Sequence, residues 1–153
     1  MIDMRLKSFQ KMFFPSKAIP RRVDAASRKV LSKFGAFVRR TARSSIRKRK
    51  GASKPGRPPS SHTGLLKKFI WFGYEPNRKS VVIGPAKLTS KNTDAPETLE
   101  YGGTTTLMET KWTGRKRKKR QKQRVRIAAR PFMGPAMEKE TPKLSSMWRE
   151  SVK

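Results

Sequence analysis

Cysteine is absent from this chain, and His62 is the sole histidine. Disulfide frameworks, zinc ribbons and thiol catalysis are thereby excluded, and histidine-based metal clusters with them. Acidic residues are scarce, ten against 39 Lys and Arg. They are scattered too thinly to assemble a two-metal nuclease centre, Glu97 and Glu100 being the best carboxylate pair available. No Ser–His–acid constellation can be built around His62, which reads as a turn residue. No apolar run approaches the ~18 residues that a membrane span requires. Residues 1–14 alternate charge and apolarity without an apolar h-region, so they are not read as a secretory signal. Residues 1–50 carry Arg and Ser with only Asp3 and Asp24 acidic. A mitochondrial transit peptide would look similar, but here the basic bias runs through the whole chain. The expectation is therefore a non-enzyme with no cofactor, no metal and no membrane.

What is present is positive charge. A chain of 153 residues with a formal net charge of +29 and 34% apolar residues lies near the disordered side of the hydrophobicity–charge balance. Self-repulsion opposes compaction unless a polyanion or an acidic partner relieves it. Length predicts one domain. Residues 1–20 read as an N-terminal arm, with Leu6, Phe9, Met12 and Phe13 at helical spacing over 3–14, and residues 21–153 as a single α+β domain.

The clearest helical period covers residues 21–47. Val23, Ala26, Val30, Phe34, Phe37, Val38, Ala42 and Ile46 trace one face, with cations mostly off it. The Lys- and Arg-rich, then proline-rich, residues 47–61 exclude helix and central strand. Thr63 is placed to cap a short turn over 65–69. Residues 70–74 and 80–84, aromatic and β-branched, predict a hairpin that Pro85 ends. Asp94 as N-cap and Pro96 in the first turn predict a short helix ending at Gly102-Gly103. Residues 104–108 read as a third strand continuing irregularly toward Trp112, and Val125 and Ile127 mark the end of a fourth.

Between those strands, Arg115, Lys116, Arg117, Lys118, Lys119, Arg120, Lys122, Arg124 and Arg126 crowd together with no intervening acid. The early part of this run is expected at the tip of a long basic hairpin loop. Such density exceeds what solubility requires, which points to a polyanion or an acidic protein surface. The run closes on Ala129-Arg130-Pro131-Phe132-Met133-Gly134-Pro135. Pro135 reads as the first residue of a helix over about 135–151, with Gly134 beside it as the candidate cap. Ala136, Met137, Leu144, Met147 and Trp148 are its candidate apolar side. Phe132 and Met133, held between prolines, are expected at a corner, either core or subunit interface. The elements are expected in the order α-β-β-(α)-β-β-α.

Pro58-Pro59-Ser60-Ser61-His62-Thr63-Gly64-Leu65-Leu66, then Val81-Val82-Ile83-Gly84-Pro85, Glu100-Tyr101-Gly102-Gly103 and Ala129-Arg130-Pro131-Phe132-Met133, follow one another in that order. In this order they resemble the neck or tail-completion family of long-tailed bacteriophages, labelled gene-product-ten-like or minor-tail-protein-Z-like. The likeness spans about residues 20–152, and departs at Gly103 and in the richness of the basic run. It implies an α+β fold, with a long N-terminal and a C-terminal helix packed on a small, mostly antiparallel four-stranded sheet. The resemblance further implies a structural ring subunit, six-fold by expectation, at the head–tail junction of a virion assembled in the host cytoplasm. It also implies head-closure and tail-terminator or tail-tube neighbours, with genomic DNA passing non-specifically through the lumen. The alternative is a basic nucleic-acid-binding protein of ribosomal type, with Trp71, Phe72 and Tyr74 as stacking candidates.

Overall fold

The computed structural model describes residues 18–86, 95–113 and 117–151; for residues 107–121 the description is of the backbone. The expected helix over 3–14, and Asp94 as a cap, lie outside the described residues. In chain order the elements are α1 (Ala18–Ser45), α2 (Leu65–Lys68), β1 (Ile70–Glu75), β2 (Ser80–Pro85), α3 (Ala95–Tyr101), β3 (Gly103–Thr113), β4 (Arg117–Ile127), α4 (Met133–Glu140) and α5 (Pro142–Arg149).

Helix α1 organises the rest. Its 28 residues make a rod about 42 Å long, and the i, i+4 stripe Val30, Phe34, Val38, Ala42, continued by Ile46 just beyond the helix, is buried. Val23, expected on that stripe, is 54% exposed. Pro20 sits in the first turn, where its missing N–H had no acceptor to lose. Strands β1 and β2 cover one side of the stripe, and α4 with α5 cover another. The core closes with Ile70, Phe132, Ala136 and Met147, with Val81, Ile83, Leu144 and Trp148 packed around it.

The β1–β2 hairpin matches its sequence signal, with Ile70 opposite Pro85 and Glu75 opposite Ser80. Ile70, Phe72 and Tyr74 share the helix-facing side, while Trp71 and Val82 are more than half exposed on the other. Trp71, Phe72 and Tyr74 therefore do not form one stacking platform, since consecutive strand residues point to opposite faces. An exposed ion pair, Lys79 Nζ to Asp24 Oδ1 at 2.7 Å, ties the hairpin turn to α1.

The helix meets the hairpin most closely at Gly35. A Cβ there would stand 2.8 Å from Val81 Cγ2 and 2.9 Å from Phe72 Cδ2. In an open helix, Gly35→Ala would gain about 1 kcal/mol from propensity. Here overpacking costs about 1–3 kcal/mol, so the variant is expected to be net less stable in urea denaturation. Adding Val81→Ala should recover part of the loss, and a purely additive double-mutant cycle would count against this packing.

The four strands do not form one sheet. They make two separate antiparallel hairpins, β1–β2 and β3–β4. Thr104, Thr106, Lys122, Arg124 and Arg126 are exposed on the second hairpin. Helix α3 stands between β2 and β3 in chain order, so the two hairpins do not follow one another as strands of a single meander. Strand β3 is also regular through Thr113, paired with Arg117, rather than irregular. Correspondingly, the basic run is mostly strand and not hairpin-tip loop.

The C-terminal helix is two helices. Pro142 lacks the N–H that would continue the α4 ladder, so α4 ends at Glu140 and α5 restarts at Pro142. Ala136 and Met147 are buried as expected, whereas Met137 is 52% exposed. Buried Glu140 accepts the Thr41 hydroxyl at 2.6 Å and Lys143 Nζ at 2.7 Å, fastening this corner to α1. The Lys143 ammonium and the Thr41 hydroxyl hold the Glu140 carboxyl below its ordinary range.

Candidate functional site

Two regions concentrate the residues that the sequence singles out. The first is the junction where β4 runs into α4. Arg130 N donates to Leu99 O at 2.7 Å, and Gly56 N donates to Ala129 O at 2.9 Å. Arg130 Nε reaches Ser53 O at 3.0 Å and Nη1 reaches Ala128 O at 3.2 Å. The proline-rich loop, helix α3 and the end of β4 are thus joined through two consecutive residues.

Gly102 completes the approach. Its φ is +78°, and a Cβ would lie 3.0 Å from Ala129 N and 3.2 Å from Ile127 O. Its own N–H donates to Thr98 O, closing α3 in the left-handed manner that glycine allows.

The capping of α4 comes from a distance. Glu100 Oε2 accepts Phe132 N at 2.9 Å and Met133 N at 3.1 Å, and Oε1 accepts Gly134 N at 2.8 Å. One carboxylate satisfies three donors at the start of a helix and sits at the positive end of its dipole. The cap is therefore not Gly134, and Pro135 is not the first helical residue. The N-cap residue is Phe132, without a side-chain bond of its own, and Pro135 is the third helical residue. Phe132 is 1% exposed in the chain's own core, Met133 packs against that core, and Pro131 is half-buried. Arg130, Pro131, Phe132, Met133 and Pro135 are thus brought together with Glu100, which the sequence reading held only as a weak catalytic candidate.

That capping role also disposes of the carboxylate pair. Glu100 is committed to backbone donors, and Glu97 is exposed one turn earlier. Among the described residues no group of three or more His, Cys, Asp or Glu is arranged to hold a metal ion. His62 is exposed. Thr63 does not form a full cap: Gly64, at φ +78°, is the N-cap of α2, and the Leu65 N–H reaches Thr63 Oγ1 only at 3.4 Å.

The second region is cationic. Arg115 and Lys116 lie outside the described residues. Arg117, Lys118, Lys119 and Arg120 fall on β4 by backbone position, and Lys122 and Arg124 are exposed on it. Basic side chains also surround two open depressions. Arg39, Arg40, Arg43 and Lys67 line one beside α1, and Arg47, Arg49, Lys54 and Arg57 line the other. Within the first, Arg39 is already engaged, donating to Ile70 O at 2.7 Å and lying 5.4 Å over the Trp71 ring. None of the described helices is long and apolar enough to cross a membrane. No family model, curated protein or solved structure matches this chain significantly.

Proposed function

We propose that this chain is a structural subunit of a phage neck ring, which joins a DNA-filled head to a tail and carries out no catalysis. The observation that carries the reading is the ordered set of motifs, two of which act as one unit. Glu100-Tyr101-Gly102 and Ala129-Arg130-Pro131-Phe132 meet through the Glu100 carboxylate and the Gly102–Ala129 approach. A pair of motifs that lock a helix start to a distant helix end suits a protein whose shape is its function. The proposed partners are further copies of the chain in a six-fold ring, the adjoining head-closure and tail-terminator or tail-tube proteins, and genomic DNA in the lumen. The proposed location is the virion.

A second reading, a ribosomal-type RNA-binding protein, is favoured by the spread of cations over the hairpin, α1 and the 47–61 loop. Native mass spectrometry with negative-stain electron microscopy of the purified protein separates the two. The neck reading expects closed rings, alone or on addition of tail components. A monomer that co-purifies with RNA and never closes a ring overturns it in favour of the second.

A further inference from the structure

The register of β3–β4 sorts its charges. Lys118, Arg120, Lys122, Arg124 and Arg126 fall at alternate positions of β4, opposite Trp112, Thr110, Met108, Thr106 and Thr104 of β3. Alternate residues share a face. The other register holds Val125 and Ile127, with Thr105 and Leu107 of β3, the acid Glu109, the glutamines 121 and 123, and three cations, Arg117, Lys119 and Lys111. Toward the root of the ribbon burial follows the same alternation, although Gln123 of the second register is exposed. Thr104, Thr106, Lys122, Arg124 and Arg126 are exposed, while Thr105, Val125 and Ile127 are half-buried.

One face of the ribbon is thus a row of five cations. They are spaced about 6.8 Å apart over about 27 Å, and no acid shares their register. Like charges so placed repel one another along the strand. Nothing in the fold requires the row, since the β3–β4 ladder is made by backbone groups and the core lies elsewhere.

We propose that this face binds the backbone of duplex DNA without reading its sequence. The charge is complementary to a polyanion with one phosphate every ~3.4 Å along each strand, so the row spans about eight base pairs. Exposed Thr104 and Thr106 stand directly opposite Arg126 and Arg124, adding hydroxyl donors of the kind that accompany Arg and Lys at phosphates. Long, flexible Lys and Arg side chains suit backbone contact and not base readout. The proposal rests on a chain that meets DNA, and not on the ring.

The test compares two variants of equal charge in the full-length protein, freed of nucleic acid and titrated with a random-sequence duplex across salt concentrations. Lys122→Gln with Arg124→Gln removes two cations from the proposed face. Arg117→Gln with Lys119→Gln removes two from the opposite register. The first pair is expected to lower the magnitude of the log K against log salt slope by about 1.8, and to weaken binding about sixty-fold at 0.1 M salt. The second is expected to leave the slope unchanged. Equal losses in both would mean that only net charge matters and would overturn the proposal, as would no loss in either.

The charge-keeping pair Lys122→Arg with Arg124→Lys should bind as the parent does, and circular dichroism melting checks that every variant is folded. Polyglutamate, titrated in parallel, is the probe for an acidic protein. If the first pair weakens polyglutamate binding but leaves DNA binding intact, the face is a protein contact and the DNA proposal fails. A protein that never forms rings yet gives the face-specific loss would sink the neck reading and leave this face standing.

Discussion

Phe132→Ala is expected to destabilise the protein by about 3–5 kcal/mol, the largest effect of any single substitution considered. The ring is 1% exposed and belongs to the same cluster as Ile46, Ile70 and Ala136. Its removal leaves a cavity among elements that Glu100 and Glu140 hold from either side, so collapse into the space is restricted. Against a typical total of about 5–15 kcal/mol, much of the stability of an isolated subunit would go. For a chain of this size the melting temperature should fall by about 10 °C or more. Phe132→Leu, which keeps most of the volume, should cost far less. An unchanged melt for the alanine variant would mean that the residue is not core in the isolated subunit, and loss of assembly alone would move it to an interface.

Glu100→Ala is expected to cost about 2–4 kcal/mol. Loss of a helix cap alone costs about 0.5–2 kcal/mol, and hydrogen bonds to charged groups about 1.5–3 each. Water replaces part of the loss at Gly134, whose end of the cap is exposed, but less readily at part-buried Phe132 and Met133. Glu100→Gln keeps one acceptor oxygen and should fall between the parent and the alanine variant. Urea denaturation gives the energies, and amide exchange at Phe132 and Met133 should quicken in step with them. If exchange there stays slow in Glu100→Ala, the capping assignment is wrong. The two substitutions act on one segment, so their combined effect should be less than additive.

Helix α1 was legible because its apolar residues repeat at three and four over seven turns, a pattern few other structures produce. The β1–β2 hairpin was legible from its β-branched and aromatic runs, and the α3 terminus from Gly102. Phe132, a large apolar residue between two prolines, was legible as a corner residue of core or interface, and the structure places it in the core. The Glu100 cap was not legible, since donor and acceptor are separated by more than 30 residues and neither neighbourhood signals the other. Local rules instead favoured Gly134 and Pro135, which are adjacent in sequence and reasonable helix starters.

The Pro142 break carried its own signal, a proline inside a helical pattern, but Met137 and Leu144 lie seven residues apart in one helical register across it, which obscured it. Strand pairing failed differently. Four strands in sequence do not say whether two hairpins merge along an edge, and here each pairs within itself. The same alternation that separates Trp71 from Phe72 could have split the stacking candidates and sorted the basic run by face. Both were read as continuous stretches because composition, and not period, dominated there.

The close approach of Gly102 to Ala129 has a mechanical side. Each strand of β3–β4 has 11 residues, giving a ribbon about 37 Å long. Its root is clasped by the left-handed glycine, the Arg130–Leu99 bond and the Glu100 carboxylate. Such a ribbon is a lever with a fixed fulcrum. A tilt of about 10° at the root would carry its far end about 6 Å for that length, while the helices at the fulcrum shift by a fraction of that. Tightness at two backbone positions therefore sets how accurately the outermost charges are aimed, and a methyl group added at Gly102 would be felt most at the end of the ribbon farthest from it.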